Sequence, residues 1–173
     1  MWSRVATVEK LQQALRLIDS YSLVCHEIRR CITLAELRDL TPCTYLPVVA
    51  DHILAVGWLE KAFEIPTGPT PQEVFAKLTE FARNPWQPFV SAGYHECGIC
   101  QFGGEKRGTA NLFIPYEGKI YVCPELITHY INAHYYSPPV EFCEAVLACP
   151  PMQSMAYKRL LVACSGAVLW QTE

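Results

Sequence analysis

Apolar residues recur along the chain at two spacings that predict different elements. Apolar residues that recur every three or four positions predict amphipathic helices. The predicted helices span about 9–20, 71–83, 125–136, 139–149 and 154–164. Two short apolar runs between residues 110 and 122 flank Tyr116-Glu117-Gly118, which predicts an antiparallel hairpin. The proline-punctuated stretch from Thr41 to Gly68 favours a strand or buried extended chain over a long helix. The expected fold class is α+β, mostly helical, with a small antiparallel sheet.

Start and stop signals mark several helix ends. Thr33 and Glu36 stand in the capping-box relation, which predicts a short helix from Leu34 to Leu40. Thr70 before Pro71 predicts the start of another helix with the threonine as its cap. These signals divide the chain into an N-terminal helical segment (1–40), a main domain (41–150) and a C-terminal helix that packs on the main domain (151–173).

Composition narrows the class of protein. About half of the 173 residues are apolar, which is enough for a real core, and the formal net charge of -3 gives no basic surface for nucleic acid. Nine cysteines, an odd number, do not form the pattern of a secreted disulfide framework. No apolar segment has the length of a membrane span, and no signal-peptide pattern follows Met1. We therefore expect a cytoplasmic protein that binds neither nucleic acid nor membrane.

The chemistry of the chain concentrates in four metal-ligating residues. Cys97-Gly98-Ile99-Cys100 places two thiols on a tight turn, from which both sulfurs can reach one metal ion at ~2.3 Å. Farther along, His129 and His134 have four residues between them, a spacing within the range of zinc-binding histidines. The four side chains form a Cys2His2 set, which predicts one structural Zn²⁺.

The spacing of the two histidines sets a geometric condition on this site. Five steps along an ideal α-helix rotate the side chain by ~500°, which leaves the two imidazoles ~140° apart around the axis. They cannot both converge from an undistorted helix. Because Pro138 follows closely, we expect His134 at the helix end, in a last turn that is loosened or 3₁₀-like.

Alternatives to this ligand set remain open at this stage. The order of knuckle, hairpin and helix is that of a small zinc module, here about residues 93–148. Within it, Cys123 or His95 can replace His134, although Cys123 also fits a small buried side chain and His95 fits a residue that orients a ligand. In a metal-free interpretation, Cys97 and Cys100 only form a turn and the histidines pack among aromatic residues.

A wider set of residues resembles an uncharacterised bacterial domain family of unknown function. The likeness covers about two thirds of the chain and omits the first forty residues. It rests on Tyr45, Val56-Gly57-Trp58-Leu59, Pro66-x-Gly68, Gly93-Tyr94-His95-Glu96-Cys97-x-x-Cys100, Tyr121-x-x-Pro124-x-Leu126-Ile127-x-His129-Tyr130 and His134-x-Tyr136-x-Pro138-Pro139-x-x-Phe142-x-x-Ala145-Val146. The resemblance implies the four-ligand assignment, because the cysteine pair and both histidines match the pattern while Cys123 does not. It implies no activity.

Two classes of function fit a zinc site of this kind. Four protein ligands close the tetrahedron, which favours a non-enzymatic module that binds a protein partner. Four aromatic residues can either form its partner surface or pack as the module's own small core: Trp86, Tyr130, Tyr135 and Tyr136. The alternative is a metal-dependent hydrolase with an open zinc position and Glu96 or Glu125 as general base.

Overall fold

The computed structural model describes residues 37–88, 94–100 and 106–169. These residues belong to a compact unit that begins at Leu37. The predicted helix at 9–20 lies outside the described residues, as does most of the predicted segment 1–40. The proposed division of the chain into three parts therefore stays a prediction.

A three-stranded sheet forms the centre of the described unit. Its strand order is β1 (Ile53–Ala55), β5 (Lys119–Pro124) and β4 (Asn111–Tyr116). The β4–β5 hairpin is antiparallel, as predicted, and turns through Glu117 and Gly118, which both have positive φ (47° and 78°). Such a pair of left-handed residues forms the tight turn that matches the twist of a hairpin. β1 adds in parallel to β5, a pairing that joins the proline-punctuated segment to the hairpin.

A second, smaller ribbon leads into the cysteine knuckle. Its strands, β2 (His95–Glu96) and β3 (Arg107–Gly108), pair antiparallel. A Cβ on Gly108 would lie 2.7 Å from Cγ of Glu125, so any larger residue here would force the Glu125 side chain to shift. The Glu125 carboxylate also accepts a hydrogen bond from the Thr109 amide at 2.8 Å. These contacts hold the ribbon beside the start of the next helix.

Among the described residues, four α-helices pack around the sheets. They are α1 (Gln72–Arg83), α2 (Ile127–His134), α3 (Val140–Ala148) and α4 (Met155–Ala163), and a 3₁₀ helix follows at Gly166–Leu169. The structure confirms the α+β class. The expectation of a mostly helical fold is wrong for the described residues, of which 34% are helical and 18% are in strands. The reason is that residues 37–71, the described chain before α1, form no helix and contribute β1 to the sheet.

Two local predictions also need correction. Residues 37–40 of the expected helix Leu34–Leu40 form no helix, because Leu40 has a positive φ (65°) and its amide bonds to the Ala55 carbonyl in β1. Thr70 does not cap α1. Its hydroxyl donates to the Tyr136 carbonyl at 3.3 Å, and Pro71 is the N-cap residue instead.

The core fills the space between the central sheet and the helices. Its largest fully buried side chains are aromatic, and they come from both strands and helices: Phe113, Tyr121, Tyr130, Tyr136, Phe142 and Tyr157. The Tyr157 hydroxyl donates to the Phe113 carbonyl at 2.8 Å, which ties α4 to β4. No helix among the described residues has the length and apolarity required to cross a membrane.

A half-buried carboxylate joins the start of the unit to the end of α2. Asp39 accepts one hydrogen bond from the Gly57 amide at 2.8 Å and a second from the Tyr136 hydroxyl at 2.7 Å. Burial raises the pKa of Asp39, and these two donors oppose that shift. Tyr136 comes two residues after His134, so this contact fixes the chain where α2 ends.

Tyr136→Phe tests the strength of this contact. The substitution keeps the ring but removes one hydrogen-bond donor from a half-buried carboxylate, so we expect it to lower the free energy of unfolding by about 1.5–3 kcal/mol. Tyr135→Phe is the matched control, because the Tyr135 side chain is 59% exposed and should change stability little. Chemical denaturation measures both. Equal stabilities for the two variants would contradict the role assigned to Asp39.

Candidate metal centre

The β2–β3 ribbon sets the direction of the cysteine knuckle. Along residues 94–100, half-buried and exposed side chains alternate from Tyr94 to Gly98, which places His95 and Cys97 on the inner side of the ribbon. The Cys97 amide continues the strand pairing by donating to the Lys106 carbonyl at 3.0 Å. On the outer side, Glu96 forms an ion pair with Arg107 at 2.8 Å. The first ligand thus points inward because of strand alternation.

The end of α2 positions both histidines. His134 is the last residue of the helix, as predicted, and Tyr135 after it is left-handed (φ 56°). The amides of Tyr135 and Tyr136 both bond to the Tyr130 carbonyl, five and six residues back, so the last turn is wider than an α-turn. The tighter 3₁₀ alternative is therefore wrong. In a wider turn, each residue rotates the chain by a smaller angle around the helix axis. The five residues from His129 to His134 then come closer to one full revolution, so both imidazoles can face the knuckle.

The chain after α2 is held by the segment that precedes α1. The Gly68 amide donates to the Tyr135 carbonyl at 3.0 Å, and the Ser137 amide donates to the Pro66 carbonyl at 2.9 Å. Together with the Thr70 hydroxyl bond to Tyr136, these contacts fix the backbone directly after His134. The proline-punctuated segment therefore supports the part of the centre that carries the histidines.

The four predicted ligands converge on one point. The Nε2 atoms of His129 and His134 are 3.2 Å apart. Sγ of Cys97 lies 3.2 Å from Nε2 of His134, and Sγ of Cys100 lies 3.2 Å from Nε2 of His129 and 3.5 Å from Nε2 of His134. All four donor atoms lie within 4.8 Å of one another, and all four side chains are half-buried. The cluster can hold a metal ion.

These distances agree with the edges of a tetrahedral site. Bond lengths of ~2.3 Å to sulfur and ~2.05 Å to nitrogen give tetrahedral edges of about 3.3 Å between nitrogens and about 3.6 Å between nitrogen and sulfur. The one nitrogen–nitrogen and three nitrogen–sulfur separations given above are within about 0.4 Å of these values. The geometry is therefore compatible with a four-coordinate metal ion.

The protonation of the cluster also depends on a cation. Burial and the neighbouring Cys97 raise the pKa of Cys100. Burial and the charge of His134 lower the pKa of His129, which favours the neutral imidazole that metals bind. A bound cation reverses the effect on the thiol, because its charge stabilises the thiolate.

Neither substitute ligand belongs to the cluster. Cys123 is fully buried in β5, where burial strongly raises its pKa, and it acts as a core residue. His95 faces α2, but its Nε2 lies 3.0 Å from the Tyr130 hydroxyl rather than within the ligand group. Among the described residues, the four-residue cluster is the one group of acidic, cysteine and histidine side chains suited to a metal.

The structure places the expected general bases away from the cluster and brings another carboxylate near it. Glu96 pairs with Arg107, and Glu125 accepts from the Thr109 amide. By contrast, the Glu60 carboxylate approaches Gly98 of the knuckle. Its Oε2 lies 3.7 Å from the point that a Cβ would occupy if Gly98 carried a side chain. Burial raises the pKa of Glu60. The sequence around Glu60 carries no signal for this proximity, which arises only from the fold.

The expected aromatic partner surface is mostly core. Tyr130 and Tyr136 are fully buried, while Trp86 is half-buried and packs edge-on against Phe113 and Tyr157. Tyr135 alone of the four is exposed. The buried tyrosines therefore support the centre from within and are not available to a partner.

The comparisons with known proteins identify a family. A model described as "Domain of unknown function (DUF7919)" matches residues 35–147. No curated protein and no solved structure matches the chain. The matched range covers most of the described unit and contains Asp39 together with the four residues of the metal centre. The chain belongs to the DUF7919 family, an uncharacterised domain family.

Proposed function

We propose that Cys97, Cys100, His129 and His134 bind one structural Zn²⁺ and that the domain is a non-enzymatic binding module. The observation that carries this proposal is the convergence of two sulfurs and two imidazole nitrogens at tetrahedral distances. The ion would fasten the knuckle ribbon to α2. Its contribution is to the folding of the module, as in other structural zinc sites.

The donor set favours zinc over other common metals. Thiolate and imidazole ligands in a tetrahedral arrangement suit Zn²⁺, whereas Mg²⁺ and Ca²⁺ prefer oxygen ligands at higher coordination number. Two thiolates also balance the charge of the divalent ion. A half-buried site of this kind gains from such neutrality because a net buried charge is costly.

The same ligand count argues against the alternative function, a metal-dependent hydrolase. Four protein ligands leave no coordination position for a water or substrate. Glu96 forms an ion pair with Arg107, Glu125 accepts from the Thr109 amide, and the Glu60 carboxylate approaches Gly98 of the knuckle. A hydrolase would require one protein ligand to leave the ion and Glu60 to activate the incoming water.

The partner that we propose is a protein met in the cytoplasm. α2 carries no lysine or arginine, so the helix beside the metal has no basic face for nucleic acid. The outer surfaces of α3 and α4 bear exposed large apolar side chains, which are typical of protein contacts: Val140, Leu147, Met155 and Val162.

Metal stoichiometry tests the ligand assignment. The purified protein should contain one zinc per chain by elemental analysis, and Cys97→Ser should remove or greatly weaken that binding because it deletes one of four ligands. Cys143→Ser is the matched control, since Cys143 is also half-buried but lies outside the cluster. Equal zinc content in the two variants would contradict the assignment.

Metal removal should destabilise the domain. If free zinc exceeds its Kd about 1,000-fold, binding contributes about 4 kcal/mol to the folded state. For a chain of this length, that corresponds to a fall in Tm of roughly 10 °C after chelation. Thermal unfolding with and without chelator measures it, and zinc added in excess should restore the original Tm. A melting curve unchanged after verified removal would refute a structural role.

Cobalt substitution distinguishes a closed site from an open one. Co²⁺ in the centre should give the intense visible bands of a four-coordinate ion with thiolate ligands, and exogenous anions should not change them, since no position is open. Bands that shift on addition of azide or a hydroxamate would support the hydrolase instead. Glu60→Gln would then be the variant to test for lost hydrolysis.

A further inference from the structure

We propose that His95 and Tyr130 form a positioning pair that holds the knuckle against α2 and so raises the affinity of the metal centre. The pair contributes no metal ligand. This inference rests on the proposed zinc site. It concerns how the two halves of that site are brought together.

His95 carries the knuckle side of the contact. It lies two residues before Cys97 and on the same inner side of the ribbon, so whatever fixes His95 also fixes the direction of Cys97. The edge of its ring packs on Trp58, with ring centroids 5.5 Å apart, and Trp58 is itself anchored by a hydrogen bond from its indole nitrogen to the Val122 carbonyl. His95 is therefore attached to the central sheet.

Tyr130 carries the helix side. It directly follows His129, is fully buried, and its ring centroid lies 5.8 Å from that of His129 and 6.2 Å from that of His134. Its carbonyl also accepts the hydrogen bonds from the amides of Tyr135 and Tyr136 that close the last turn of α2. The hydroxyl reaches Nε2 of His95 at 3.0 Å. One side chain thus packs against both histidine ligands and bonds to the strand that carries the first cysteine.

The hydrogen bond between His95 and Tyr130 is important because the knuckle has no buried residue, among those described, to anchor it. All described residues of the knuckle, 94–100, are exposed or half-buried, whereas α2 is anchored by the fully buried Ile127 and Tyr130. The histidine half of the centre is consequently held by the core, and the cysteine half depends on a few contacts. Each contact that orders the knuckle before the ion arrives lowers the entropy lost on binding, which increases affinity.

Tyr130→Phe tests the pair directly. The variant keeps the buried ring and removes only the hydroxyl, and we expect zinc affinity to fall about 10-fold, at the lower end of the effect of residues that orient metal ligands. Tyr157→Phe is the matched control: it removes another buried hydroxyl, which bonds to Phe113 far from the ligands, and should leave zinc affinity unchanged. Competition with a chromophoric chelator measures Kd for both.

Stability measurements separate positioning from general support of the core. If the Tyr130 hydroxyl only stabilised the core, Tyr130→Phe would lower the Tm of the zinc-free and zinc-bound proteins equally. We expect the difference between these two Tm values to shrink, because part of the binding energy is lost. The cobalt spectrum should keep its form, since all four ligands remain.

Substitutions at the half-exposed His95 provide a second route that avoids disturbing the core. His95→Phe should weaken zinc binding about as much as Tyr130→Phe, and the two together should cost little more than either alone. His95→Gln keeps a hydrogen-bonding group and should recover part of the affinity. Zinc affinity unchanged in both Tyr130→Phe and His95→Phe would overturn the pair but leave the zinc site intact. A wild-type protein that binds no zinc would instead refute the proposed function.

Discussion

Four donor atoms from two distant parts of the chain have to meet on the surface of a sphere little more than 2 Å in radius. Two of them lie on a short ribbon and two on the last turn of a helix, so small errors in either backbone would separate them. The structure meets this constraint with a wide final turn in α2 and a left-handed residue after it. Asp39, Gly68 and Ser137 then hold the chain where that turn ends.

The support of the two halves is unequal. α2 is packed into the core by Ile127 and Tyr130, and the segment before α1 bonds to the backbone that follows it. The knuckle ribbon is held by the bond of the Thr109 amide to Glu125 and by the contacts of His95 with Tyr130 and Trp58. In our account, the ion would hold the knuckle in place, because buried residues of the hydrophobic core anchor α2, whereas the described residues of the knuckle are only half-buried or exposed. On this proposal, metal and hydrophobic core would stabilise different parts of one domain.

Local patterns predicted much of this fold. The hairpin, the helix that carries the histidines and the position of His134 at its end follow from alternation, periodicity and the nearby prolines. The approach of Cys97 and Cys100 to His129 and His134 follows from ligand spacing rather than from any local preference. The parallel pairing of β1 with β5 did not follow, because a long connection leaves no short-range signal. Thr70 and Glu60 show the same limit: the carbonyl that Thr70 bonds and the knuckle that Glu60 approaches are distant in sequence.

The most direct measurement of the central claim is X-ray absorption at the zinc edge of the purified protein, which reports the number, type and distance of the atoms bound to the ion. Our account predicts two sulfurs at about 2.3 Å and two nitrogens at about 2.0–2.1 Å. A shell made only of oxygen and nitrogen, or a sample without bound metal, would contradict it.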